Sequence, residues 1–145
     1  FGHMGIEMDP RELTDHEYNA LKAAISLHKE HREFIHAADL YRLDSDDLSI
    51  NFGLIDEQKS KALFAYNSVR ETPRTAPNKL RFVGLDADTQ YTLNLVWPVK
   101  FEEYRPSSIA AVNGQTFTGE ALMEFGLQMP ISFPQTSLIF ELNKA

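Results

Sequence analysis

A chain of 145 residues with 43% hydrophobic content is about one domain long and carries enough apolar mass for a normal buried core, which argues against a disordered or fibrous protein. Its formal charge of −7 rests on carboxylates scattered along the whole length, so nucleic acid and anionic membrane are not expected as partners. There is no cysteine, hence no disulfide or thiolate metal site, and no apolar stretch of membrane-spanning length; a reducing compartment is compatible, and the cytoplasm is the expected location.

Phe1-Gly2-His3-Met4 reads as a protease-tag and cloning scar covering residues 1–5, because no apolar signal region follows it. Thr14 followed by Glu17 is a capping-box pattern, which predicts a helix from about Asp15 to about His36. Tyr18, Leu21, Ala24, Ile25 and Ile35 recur on one face of it. Leu13, Ala20, Leu27, His28, His31 and Phe34 widen that face to an apolar arc of roughly 200°, more than one small sheet would cover. Only Asn19, Lys22, Ser26, Lys29, Glu30 and Glu33 are left for water. Such a helix is built for burial between two layers.

After Asp39 the apolar period changes to two. Ile50, Phe52 and Leu54 alternate with Asn51 and Gly53, and Leu63 and Ala65 with Phe64 and Tyr66. Tyr91, Leu93, Leu95 and Trp97 are expected on one face, and Leu138, Phe140 and Leu142 form the last apolar face. Leu40 to Leu43, Leu80 to Val83 and Ile109 to Phe117 are weaker strands, with turns at 44–47, 56–60, 73–78, 86–89 and 130–134. Seven or eight such strands without helices to cover a parallel sheet predict an all-β antiparallel sandwich of Greek-key type behind one N-terminal helix.

Several segments carry a resemblance. Lys29-Glu30-His31-Arg32-Glu33-Phe34-Ile35 followed by Asp39-Leu40-Tyr41-Arg42-Leu43 is similar to the junction where the barrel of family-thirty-six α-galactosidases passes into its C-terminal domain. Lys61-Ala62-Leu63, the run from Leu80 to Tyr91 and the run from Phe117 to Leu127 resemble the same family in the same order, so the likeness spans about Leu13 to Leu142. Ala87, where the family usually has proline, and Ala38, where it commonly has glycine, depart from the pattern. The resemblance implies a non-catalytic C-terminal β-sandwich over 39–145, entered through a helix over 6–38 that belongs to the end of a (β/α)8 catalytic barrel. It implies a parent that hydrolyses terminal α-linked galactose with retention, as in melibiose and raffinose, through aspartates of a barrel absent from this chain. The expected partners are that barrel, with α-galactosides bound at its site, and a second copy of the chain; a helix parted from its barrel must fold back, pair or fray.

No catalytic, cofactor or metal residue is assigned within the chain. Asp44, Asp46, Asp47, Asp56, Glu57, Asp86 and Asp88 fall in predicted turns, where solvated carboxylates are ordinary. Asp44-Ser45-Asp46-Asp47 lacks the glycine and distant glutamate of a calcium loop. His28 and His31 lie one helical turn apart without a His-Glu-x-x-His pattern and read as packed helix histidines; His36 sits at the helix exit. There is no nucleophile elbow or phosphate loop, and Asn113-Gly114 predicts a tight type I′ hairpin turn. Tyr91, closing the Gly84 to Tyr91 segment, is expected to tie a sandwich corner through its phenol. Trp97, Phe101 and Tyr104 are the aromatics a sugar-binding module would use, although Trp97 is expected in the core. A carbohydrate-binding module and a stand-alone interaction sandwich are the alternatives to the accessory role.

Overall fold

The computed structural model describes residues 2–98 and 109–145. The chain divides into two compact units, residues 1–38 and 39–145.

In the first unit a short 3-10 turn, Pro10–Glu12, precedes helix α1, Asp15–Ala37. The predicted capping box forms. The Thr14 hydroxyl accepts from the Glu17 N–H at 3.3 Å, and the Glu17 carboxylate accepts from the Thr14 N–H at 2.8 Å and its hydroxyl at 2.7 Å. These bonds satisfy donors that every helix start leaves open. At the other end the Ala38 N–H returns to the Phe34 carbonyl at 2.9 Å. Leu21, Ala24, Ile25, Leu27, His28, Phe34 and Ile35 are half-buried and His31 is buried, while Tyr18 and Ala20 in the opening turns are exposed.

The second unit is mostly antiparallel sheet. Strands β1 (Asp39–Arg42), β2 (Ser49–Ile55), β3 (Lys61–Ser68), β4 (Lys79–Leu80) and β5 (Gln90–Trp97) are followed by helix α2 (Ile109–Val112), strand β6 (Gln115–Thr118), helix α3 (Gly119–Glu124), and strands β7 (Leu127–Gln128) and β8 (Thr136–Lys144). Six strands form one sheet in the order β1-β2-β3-β8-β5-β6, and β4 pairs with β7 in a second, two-stranded sheet. All the pairs are antiparallel. The fold class read from the sequence holds, with two short helices added.

Alternation along the strands turns Ile55, Ala62, Phe64, Tyr91, Leu93, Leu138, Phe140 and Leu142 to one face of the large sheet, where they form a core with Leu80, Phe82, Leu85, Leu122, Leu127 and Met129. Phe64 meets Phe82 edge to face, with ring centroids 4.8 Å apart at 85°. Such a pair adds about 0.5–1.5 kcal/mol beyond its burial. Gly53, directly opposite Phe64, leaves room for that ring, since a β-carbon there would overlap it.

Four local expectations are corrected. Leu80 to Val83 was expected as a strand; pairing stops at Leu80, and the Phe82 N–H bonds instead to the Leu122 carbonyl of α3. Ile109 to Phe117 was expected as one strand; its first part is helix α2. Asn113-Gly114 ends that helix rather than making a hairpin turn, because the Asn113 N–H bonds to the Ile109 carbonyl and Gly114 takes a left-handed φ of 77°. A type I′ turn and a helix exit both need positive φ at this glycine, so the dipeptide alone does not separate them. Finally, Trp97 does not continue the face of Leu95. The register shifts between them, so that Leu95 lies across from Phe140 but Trp97 across from Ile139. The extra residue rotates Trp97 to the other side of the sheet, where it is half-buried.

Candidate functional site: the outer face of the sheet

The six-stranded sheet is apolar on both sides. On the side away from the core, the register aligns Arg42, Phe52, Ala65, Ile139 and Trp97 in one cross-strand row and Leu40, Leu54, Leu63, Glu141 and Asn94 in the next. Leu54, Leu63 and Ala65 are buried, at 4%, 1% and 3% exposure, although they lie outside the central cluster. Leu40 and Ile50, nearer the margin, are 62% and 54% exposed. A sheet with one solvated face alternates apolar and polar residues, whereas Ala62-Leu63-Phe64-Ala65-Tyr66 is an unbroken buried run. That run was the sequence signal for two covered faces. The one carboxylate set in these rows, Glu141, is matched by the Lys61 ammonium at 2.8 Å. Chemically this is a contact surface.

The turn carboxylates are engaged locally. The Asp46 carboxylate accepts from the Leu48 and Ser49 N–H groups at 2.9 and 2.8 Å and from the Asn78 carboxamide at 3.0 Å, so it shapes a turn instead of opening toward a cation. Burial, with Asp46 nearby, raises the Tyr66 phenol above its ordinary value. Burial would raise the Asp56 carboxyl too, but hydrogen bonds from the Lys61 N–H and from the Ser60 hydroxyl and N–H outweigh it and hold Asp56 below the usual carboxylate range. Asp86 accepts from the Thr89 hydroxyl at 3.1 Å, while Asp44, Asp47, Glu57 and Asp88 are exposed.

Among the described residues no group of three or more histidine or carboxylate side chains is placed to hold a metal ion. His28 is half-buried, His31 is buried, and the His36 ring lies 4.7 Å from the His3 ring. Tyr91 is fully buried, with its hydroxyl donating to the Lys59 carbonyl at 2.9 Å and accepting from the Asp86 N–H at 3.2 Å. Of the proposed sugar platform, Trp97 stands on the outer face, and Phe101 and Tyr104 lie outside the described residues. No helix among the described residues is long and apolar enough to cross a membrane.

Comparison with known proteins accords with this architecture. Residues 51–142 match the Glycosyl hydrolase family 36 C-terminal domain. Over its full length the chain is 30% identical to an α-galactosidase of Escherichia coli, of which it covers 22%, and 99% of it aligns at 25% identity with α-galactosidase 2 of Hypocrea jecorina, of which it covers 17%. It thus spans about a fifth of the length of these relatives. In three dimensions it is similar to part of the galactosidase domain of the α-galactosidase–sucrose kinase AgaSK, with a TM-score of 0.75 at 19% identity over 94% of this chain and 17% of that one. A comparable match, with a TM-score of 0.74 at 18% identity, covers 96% of this chain and 18% of the α-galactosidase from Lactobacillus brevis.

Proposed function

The chain belongs to the glycosyl hydrolase family 36 C-terminal domains, and from that premise we propose that it is the non-catalytic accessory domain of an enzyme that hydrolyses terminal α-linked galactose. Its work is mechanical: residues 39–145 form the sandwich and present an apolar face, while residues 6–38 supply the helix that joins it to a (β/α)8 barrel. The observation that carries this reading is the second apolar side of the sheet, covered at its centre, where Leu54, Leu63 and Ala65 are buried, and open at its margin, where Leu40 and Ile50 remain 62% and 54% exposed. Burying such a face against another layer stabilises both by about 25 cal/mol per Å². The full-length alignment to α-galactosidases several times longer than this chain supports the same reading. A second copy of the chain is the other partner we propose, and the cytoplasm the location.

Two measurements test the role. The isolated chain, assayed with melibiose and raffinose, is expected to release no galactose; turnover at enzyme-like rates overturns the accessory assignment. The coding sequence upstream of Gly5 is expected to encode a barrel with paired aspartates, and an initiation codon preceded directly by stop codons removes the barrel partner. Sedimentation velocity reads the second partner, since a strictly monomeric chain eliminates pairing between copies.

A further inference from the structure

Asn113-Gly114 is the one place in the chain where glycine follows asparagine. The pair stands at the exit of α2, just before the edge strand β6, and both residues are exposed. Strand β5 holds a group from each. The Asn113 carboxamide oxygen accepts from the Leu95 N–H at 2.7 Å, and the Gly114 N–H donates to the Leu93 carbonyl at 2.7 Å. Regular pairing of β5 with β6 ends where Leu93 faces Gln115, and the same register continued would set Asn113 opposite Leu95. The side-chain oxygen of Asn113 therefore replaces the backbone acceptor that a longer β6 would offer.

These two groups can also react with each other. When the Gly114 nitrogen attacks the Asn113 Cγ, an N–Cγ bond forms, the Cγ–Nδ2 bond breaks, and Nδ2 leaves as ammonia with the proton lost by the Gly114 amide. Water then opens the resulting succinimide ring. Opening at Cγ leaves aspartate, whereas opening at the main-chain carbonyl leaves isoaspartate, in which the chain runs through the former side chain. Glycine imposes no steric barrier to the attack, since nothing lies within 4 Å of where a β-carbon would stand. The fold imposes one instead. The bond to Leu95 fixes the carboxamide and the bond to Leu93 occupies the proton of the attacking nitrogen, so both must part before the ring can close.

We propose that Asn113 is a site of spontaneous covalent modification, converted to aspartate and isoaspartate at a rate set by local opening of the β5–β6 margin. Among the described residues β6 is four residues long and pairs on one side only, which places its opening at the low end of the local stabilities of the sheet. The two products differ in what they leave behind. Aspartate keeps an oxygen for the Leu95 N–H and leaves the backbone path unchanged. Isoaspartate inserts a methylene into the main chain, which moves the Gly114 N–H out of register with Leu93 and releases the start of β6. A transient opening thereby becomes a permanent one. The site is independent of the accessory role proposed above, and either can fail alone.

The test incubates the chain in mildly alkaline buffer, folded or unfolded in urea, and follows the one-dalton gain at residue 113 by peptide mass mapping, with chromatographic separation of the aspartyl and isoaspartyl peptides. Hydrogen exchange of the Gly114 amide in the folded chain measures the opening. Conversion in the folded chain is expected to be slower than in urea by about tenfold or more, and by the same factor that protects the Gly114 amide from exchange. The Asn113→Asp variant should keep the cross-strand contact between Leu93 and Gln115, and the purified isoaspartyl form should lose it. Equal rates in the folded and unfolded chains, no conversion in a folded chain whose Gly114 amide exchanges, a Gly114 amide protected as strongly as those of β3, or an isoaspartyl form with β6 paired as before overturns the proposal.

Discussion

The phenol of Tyr91 donates its proton to the carbonyl of Lys59, 32 positions earlier in the chain, at 2.9 Å. The same oxygen accepts from the Asp86 N–H, so one buried hydroxyl fastens the turn before β5 to the turn between β2 and β3. Tyr91→Phe keeps the ring packing and deletes both bonds. The expected cost is about 1–2 kcal/mol, read as a lower midpoint in a urea melt with an unchanged slope; an unaltered midpoint would show that water replaces the phenol freely.

Gly119 opens helix α3 directly beneath the Asp86 carbonyl, and the Gly119 and Glu120 N–H groups bond to the Thr89 and Ala87 carbonyls. A β-carbon at this position overlaps backbone, which has no rotamer through which to retreat. Gly119→Ala is therefore expected to destabilise the chain by about 3 kcal/mol in thermal unfolding. Gly114→Ala, where open space surrounds the added carbon, tests only the left-handed backbone and should cost less.

Asp56 links stability to pH. Its carboxyl titrates lower in the folded chain than in the unfolded one, so its contribution is complete above the unfolded value of about 3.9 and is lost as pH falls through the folded value. Asp56→Asn should flatten the loss of stability below about pH 4, measured as urea midpoints across the acid range. A variant profile parallel to the parent's throughout that range would remove Asp56 from the account.

Thr14 and Glu17 close the start of α1 on each other. Thr14→Ala removes the side-chain acceptor for the Glu17 N–H, and the first turn is expected to fray. Far-UV circular dichroism should show reduced helix content, with Thr14→Ser, which keeps the hydroxyl, restoring it.

The capping box, the period-two strands and the acidic turns were legible because each is a local pattern carrying its own physical reason. What escaped depended on partners far along the chain. The alternation of Tyr91, Leu93 and Leu95 extrapolates to Trp97, and only the pairing with β8 reveals the extra residue that turns the indole outward. Helix α3 is six residues long, too short for a helical period to declare itself, although Thr118 caps it by accepting from the Ala121 N–H. The contact between the 44–49 turn and the segment leading into β4 was invisible for a similar reason. Asp44-Ser45-Asp46-Asp47 read correctly as a turn, but nothing local joins it to Asn78, Lys79 and Arg81, whose approach rests on a bond spanning 32 positions.

The place of β8 in the sheet has a consequence for how the fold is made. This strand, Thr136–Lys144, lies between β3 and β5 and, among the described residues, is the only strand that joins the β1-β2-β3 half to the β5-β6 half. During synthesis both halves leave the ribosome before the strand that unites them. Until it arrives, β3 and β5 each offer an open, apolar edge of the kind that invites pairing with the wrong chain. Commitment to the sheet therefore comes late, and a nascent chain halted before Thr136 would hold a three-stranded and a two-stranded fragment in search of a common neighbour.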